Sequence, residues 1–178
     1  MPLFRTRSAA VFGIEGRPVE IEVDMYQGGG MFRDIAIFGM PDTAVKESRE
    51  RIKSALLNSG FGFPEKCLTI NLAPANVRKE GAGFDLPVAM AILGAMGAVR
   101  ACGGHLLAGE LSPDGSLRPI RGALSIAVCA RQQGLEGLIV PRENAAEAAV
   151  DEGLNVYGLS QLAEAVNVLN KPEAFTPA

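Results

Sequence analysis

A protein that handles nucleotides, metals or acyl groups must bring a small set of side chains to close quarters, and in this 178-residue chain those side chains are scarce. A phosphate-binding loop needs Gly-x-x-x-x-Gly-Lys-Ser/Thr, because backbone amides cradle the phosphates while the lysine and hydroxyl meet charge and metal. No Gly-Lys-Ser or Gly-Lys-Thr occurs, and Gly81-Ala82-Gly83-Phe84 is too short and has no lysine in the required place. No Gly-x-Gly-x-x-Gly follows a strand-like run, so a dinucleotide site is excluded as well. The chain has one histidine, His105, and three widely spaced cysteines, Cys67, Cys102 and Cys129, with no Cys-x-x-Cys. That pattern offers no zinc site. It reads as buried thiols in a reducing cytosol and a structural or exposed histidine.

The cations are the next candidates. The net charge is −3, so a global polyanion-binding surface is not implied, although a local basic patch stays open. Lys46, Arg49 and Lys53 fall at i, i+3 and i+7 and share a helix face. Arg51 lies off that face, and Glu47 and Glu50 interleave. Arg78, Lys79, Arg118 and Arg121 add loop charges. Two readings follow: a solvated face with internal ion pairs, or a stripe that touches DNA or a partner. Stacking platforms are few, with two tyrosines and eight phenylalanines that fall mostly in apolar patterns.

The elements that would position these groups can be read from periodicity. Residues 4–13 and 17–26 read as a hairpin, with Val19, Ile21, Val23 and Met25 alternating with Glu20, Glu22 and Asp24. Gln27 to Gly30 is a flexible break, and Phe32 to Phe38 a third strand. A helix begins at Pro41-Asp42-Thr43, with Asp42 or Thr43 as cap, and ends near Ser59 before Gly60. Lys66 to Leu72 is a strand and 74–83 a polar loop. The helix from Phe84 or Asp85 to about Gly97 is apolar nearly all round and should be buried on most sides. Leu106 to Leu111 and Ser116 to Pro119 read as strands about a Ser112-Pro-Asp-Gly115 turn. Then come a helix over 122–133, a strand over 137–140, a helix over 143–152, a strand over 155–157 and a helix over 160–169 capped by Ser160. Residues 170–178 read as a linker or tail. The sum is one mixed α/β, or α+β, domain over 1–169. No run of about 20 apolar residues is present, and no leader precedes the first strand, so a cytoplasmic protein without a membrane span is expected.

Three separated segments carry a family resemblance. They are Phe38-Gly-Met-Pro-Asp-Thr43 with its continuation to Phe61; Thr69-Ile-Asn-Leu-Ala-Pro-Ala-Asn-Val-Arg-Lys-Glu-Gly-Ala-Gly-Phe-Asp-Leu-Pro-Val-Ala89; and Gly109-Glu-Leu-Ser-Pro-Asp-Gly-Ser-Leu-Arg-Pro-Ile-Arg-Gly122, followed by Val140-Pro-Arg-Glu-Asn144. In this order they resemble the amino-terminal region of the YifB/ComM family of magnesium-chelatase-like AAA+ ATPases. The resemblance implies a ribosomal-protein-S5 domain-2-like fold similar to the Lon proteolytic domain. It also implies a downstream AAA+ module that uses ATP and magnesium, so this chain itself would hold no cofactor. A homo-oligomer, hexameric in the full-length protein, and DNA as a partner in recombination are further implications.

A Lon-like domain invites a test for proteolysis, which needs a serine nucleophile and a lysine base within hydrogen-bond reach. The resemblance puts Asp85 in the nucleophile region and Leu124 in the lysine region. No serine lies between Ser59 and Ser112, and no lysine between Lys79 and Lys171, so no small shift of register supplies both. Arg121 is always charged and cannot act as a base. The expected function is therefore a non-catalytic domain that serves assembly or contact with DNA or substrate, the alternative being a diverged Ser peptidase. Asp85 has two open roles: a carboxylate serving the first turn of its helix, or an ion pair with Arg78, Lys79 or Arg121 that locks the loop. The candidate contact residues are Lys46, Arg49, Lys53, Arg78, Lys79 and Arg121.

Overall fold

The computed structural model describes residues 3–28 and 35–178. The alternating segments at the start form a long hairpin, β1 (Leu3–Phe12) and β2 (Glu15–Tyr26), paired antiparallel from Leu3 with Asp24 to Phe12 with Glu15. Of the third expected strand, the described part is β3 (Ile35–Phe38); residues 32–34, and the Gly29-Gly30 part of the expected break, lie outside the described residues. Helix α1 (Thr43–Asn58), β4 (Cys67–Ala73) and helix α2 (Asp85–Ala95) follow. The back half holds β5 (His105–Leu107), β6 (Glu110–Leu111), β7 (Leu117–Arg118), α3 (Ala123–Gln132), β8 (Gly137–Pro141), α4 (Ala145–Ala148), β9 (Asn155–Leu159) and α5 (Leu162–Asn170). This is the mixed α/β class expected.

Seven strands form one sheet in the order β3-β4-β2-β1-β5-β8-β9, and β6 pairs with β7 separately. Only β2 runs against its neighbours; the β3–β4, β1–β5, β5–β8 and β8–β9 pairs are parallel. Strand alternation divides the core in two. One cluster joins Val19, Ile21 and Val23 of β2 to α1, α2 and α5, and the other joins Ala9, Leu106, Leu138 and Val140 to α3 and Ala148 of α4. Every residue of α2 from Asp85 to Leu93 is buried, as its apolar circumference requires.

Four expectations are corrected. The strand expected over 106–111 splits, because Ala108 donates to Ile139 O and Gly109 to Gly83 O, which turns the chain away from β1. The helix expected over 143–152 shrinks to a 3-10 turn at Arg142–Asn144 plus α4, because Asn144 is spent on another loop and Gly153, at φ 96°, ends the run. Ser160 does not cap α5 with its side chain; Glu164 accepts from the Ser160 amide instead. Residues 170–178 are not a loose tail: Phe175 packs on the first core cluster, and the Ala178 amide donates to Val156 O at 2.7 Å along the β9 edge. Burial lifts the Cys102 thiol to about 12 and raises Cys129 too. His105 is buried 5.9 Å from the Tyr157 ring, and burial lowers its pKa, so it is a neutral core residue.

Candidate functional site

Asp85 opens α2 directly after the 3-10 turn Ala82–Phe84, and its side chain is 1% exposed. It is the first-turn carboxylate expected, yet it serves other elements. Arg51 of α1 grips it with two parallel hydrogen bonds, Nε to Oδ2 at 2.9 Å and Nη2 to Oδ1 at 3.0 Å, and the Leu111 amide donates to Oδ2 at 3.0 Å. The ion pair therefore forms with Arg51 and not with Arg78, Lys79 or Arg121. Arg51 is also held from its own helix, since its Nη2 donates to the Ala44 carbonyl at 2.9 Å. The sequence places Arg51 off the Lys46–Arg49–Lys53 face, and that offset was the available signal. Burial lifts the Asp85 carboxyl to about 6, against the pull of the Arg51 fork and the Leu111 amide. The hydrogen-bonded carboxylate raises Arg51 in turn.

Leu124, in the first turn of α3, is 39% exposed, and its amide faces Glu147 Oε1 at 3.3 Å. The loop before it is fixed by buried Asn144, which accepts from the Ile120 amide and donates to the Ile120 carbonyl, both at 2.9 Å. This gives the Pro141–Asn144 segment its role: the Asn144 amide side chain copies a strand neighbour and pins the 119–122 loop.

Arg78 and Lys79, adjacent in sequence, part company in space. Arg78 is exposed and pairs with Glu80 at 3.0 Å. Lys79 is fully buried, which removes it from the candidate contact residues. Its ammonium donates to the Gly39 carbonyl at 2.6 Å and to the Pro74 carbonyl, and burial lowers its pKa. The same crossing is tied by backbone bonds from the Lys79 amide to Met40 O and from the Asp42 amide to Lys79 O. Asp42 finishes it: one oxygen caps α1 through the Val45 amide at 2.8 Å, and the other accepts from the Gly81 amide at 3.0 Å. Gly39 sits at φ 105°, and a Cβ there would lie 2.0 Å from Leu72 O, so this approach requires glycine.

These loops frame a cavity of about 650 Å³. One wall is Ala9 to Gly13. The other is Gly81 to Phe84 with Ala108 and Glu110, closed by residues 119–122 and Ile126, with Asp42, Arg78 and Glu80 also lining it. It lies between the two loops that a Lon-like dyad would occupy, but neither Asp85 nor Leu124 lines it. Of the candidate contact residues, Arg78 and Arg121 reach it. Lys46, Arg49 and Lys53 stay exposed on α1, and Arg49 and Lys53 line a separate groove that also holds Glu50 and Glu65. Arg49 donates to Lys46 O and Ile35 O at 3.1 Å, and Lys53 lies 5.9 Å from the Phe63 ring centroid.

The lysine nearest the Gly81–Phe84 turn is Lys79, and its ammonium is committed to carbonyl oxygens rather than offered to phosphate. Among the described residues no group of His, Cys, Asp and Glu side chains could hold a metal ion, and no helix is long and apolar enough to cross a membrane.

Comparison with known proteins gives a consistent answer. A family profile described as subunit ChlI of Mg-chelatase matches residues 21–144. The uncharacterized protein YifB of Salmonella typhimurium is 41% identical over 152 residues, covering 84% of this chain and 29% of that protein. YifB of Escherichia coli is 38% identical over 86% of this chain and 30% of its own length. The competence protein ComM of Haemophilus influenzae is 37% identical over 97% of this chain and 34% of its own length. The chain thus spans about a third of the length of these curated relatives.

Proposed function

The chain belongs to the family of subunit ChlI of Mg-chelatase, with YifB and ComM among its relatives, and we propose that it serves there as a domain without chemistry of its own. In this reading it is the amino-terminal domain of an ATP-driven motor, supporting assembly and contact with DNA. ATP and magnesium are used by a module that lies in the part of the longer relatives this chain does not cover. The observation that carries the reading is the state of Asp85: where a Lon-like nucleophile would stand, a carboxylate is enclosed and held by three hydrogen-bond donors. A group so held cannot reach a substrate carbonyl, and Leu124 has no proton to give or take. The alternative of a diverged Ser peptidase finds no support in either position.

The DNA-contact part of the reading rests on the exposed α1 cations Lys46, Arg49 and Lys53, with Arg78 and Arg121 at the cavity. Three phosphate contacts, at a log–log slope of about −0.9 each, predict a loss of about 40-fold in affinity between roughly 50 and 200 mM salt. Fluorescence anisotropy with a four-way DNA junction measures this. The triple variant Lys46→Glu, Arg49→Glu, Lys53→Glu is expected to flatten the salt dependence. Binding that ignores salt, or survives the triple variant unchanged, removes DNA from the proposal. Separately, labelled casein is expected to stay intact with the wild-type chain; cleavage that disappears in Asp85→Ala would restore the peptidase alternative.

A further inference from the structure

We propose that the cavity at the end of β1 binds an extended polypeptide segment, which pairs its backbone with the open edge of β1 from Ala9 to Phe12. This goes beyond the contact with DNA and does not depend on it. The edge is open for a topological reason. β1 pairs with β2 over its whole length, but on its other side it meets β5 at one position, Arg7 with Leu106. Beyond that point the chain after β5 turns toward Gly83 and leaves a wedge. Five consecutive residues, Ala9 to Gly13, line the resulting cavity. Successive side chains of a strand point to opposite faces, so a consecutive run can line one space only along its backbone edge. Among the described residues nothing pairs with the Ala9–Phe12 backbone on that side.

An unpaired strand edge is complementary to one kind of ligand, another extended backbone that can satisfy its alternating N–H and C=O groups. Proteins ordinarily cover such edges. Along this edge Ala9, Ala10, Ala82, Gly83 and Ala108 are small and leave room for the side chains of an added strand, and charged side chains such as Glu80, Glu110 and Arg121 stand around them. The volume of about 650 Å³ sits in the range of sites that enclose a ligand, roughly 300–1,000 Å³. Four residues at about 3.3 Å each span about 13 Å of edge. The hairpin tip that follows this edge exposes two apolar side chains, one of them under the Arg17 guanidinium at 5.0 Å from the Phe12 ring centroid. Phe12 is 37% exposed and Ile14 94% exposed, and the Ile14 carbonyl is fixed by Ser125 Oγ at 2.8 Å. A strand edge pairs with a ligand backbone that carries both N–H donors and C=O acceptors, which a peptide has.

The test uses the whole 178-residue chain and a fluorescein-labelled decapeptide that alternates valine with threonine and ends in lysine. Its twin carries N-methyl groups on the central amides, which remove the donors and keep the side chains. The parent peptide is expected to bind, with amide shifts in 15N spectra confined to Ala9–Phe12 and Gly81–Phe84, and the twin to bind about tenfold or more weakly. A Cβ at Gly83 would have only Ile120 Cγ2 within 4 Å, at 3.6 Å, so Gly83→Leu fills the cavity without a backbone clash. That variant is expected to keep its Tm and lose the peptide by a similar factor. Equal binding of the two peptides, shifts on α1 instead, or no binding at millimolar peptide overturns the proposal. The peptide pair is compared on the wild-type chain, so the test holds even if Gly83→Leu does not fold.

Discussion

Arg51→Met is expected to cost about 3–5 kcal/mol of stability at pH 7, the range for removing one partner of a buried ion pair. The side chain that remains is the reason. Asp85 is 1% exposed, whereas Arg51 is 22% exposed, so the variant leaves the more deeply buried charge unpaired. Only the Leu111 amide would still serve it. The loss should shrink as the pH falls, because a neutral carboxyl is cheaper to bury than a charged one. The sign follows from linkage. The folded pKa of about 6 already lies above the ordinary value of 3.8, and removing the arginine fork moves it further up. The folded variant then binds a proton that the unfolded chain releases, so its stability rises as pH drops through the folded pKa and levels off below about 4. Urea unfolding at pH 7 and pH 5 measures both effects. Adding Asp85→Leu should restore most of the stability at pH 7, since the stranded charge is gone. A single variant within about 0.5 kcal/mol of wild type would show that the pair holds nothing.

Lys79→Met should also destabilise, by about 1–3 kcal/mol, although it replaces a polar side chain with an apolar one of similar length. Two part-buried carbonyl oxygens, of Gly39 and Pro74, lose their donor and must turn to water instead, so the cost stays below the about 1–3 kcal/mol that each fully buried acceptor would lose. In a domain of this size that lowers Tm by about 2–4 °C per kcal/mol. Arg78→Ala, one residue away, should stay within about ±0.5 kcal/mol, because Arg78 and its partner Glu80 are both 62% exposed. Thermal unfolding of the two variants side by side makes the comparison. A Lys79→Met protein that melts with wild type would mean that its ammonium is not needed at the loop crossing.

This contrast also shows what a sequence can and cannot disclose. Arg78 and Lys79 look alike as neighbouring loop cations; which one turns inward depends on where Gly39 and Pro74 place their carbonyls, a tertiary fact. Hydrophobic period gave the hairpin, α1, the buried α2 and the alternation of helix and strand in the back half, because those patterns are local. The split of the expected 106–111 strand was not local, since it depends on Gly109 finding Gly83. The position of Asp85 was legible and its partner was not, although Arg51 already stood off the face shared by the other α1 cations. The cavity was invisible for a further reason: it is the space left where two strands diverge, and its lining comes from segments far apart in the chain, from Ala9 to Ile126.

The place of β1 in the sheet bears on how the chain is made. β1 joins a front half, β3-β4-β2, completed by residue 73, to a back half, β5-β8-β9, that begins at residue 105. The front half pairs residues up to 53 apart, Glu20 with Ala73, about half the separation of Arg7 and Leu106, and can collapse earlier on α1 and α2. The back half joins through Arg7 and Leu106, about a hundred residues apart, so that contact closes late and slowly. On the ribosome the emerging front sheet would therefore show the whole bare side of β1, from Leu3 to Phe12, until the back strands arrive. The part beyond Arg7 is the remnant of that edge which the finished fold never covers.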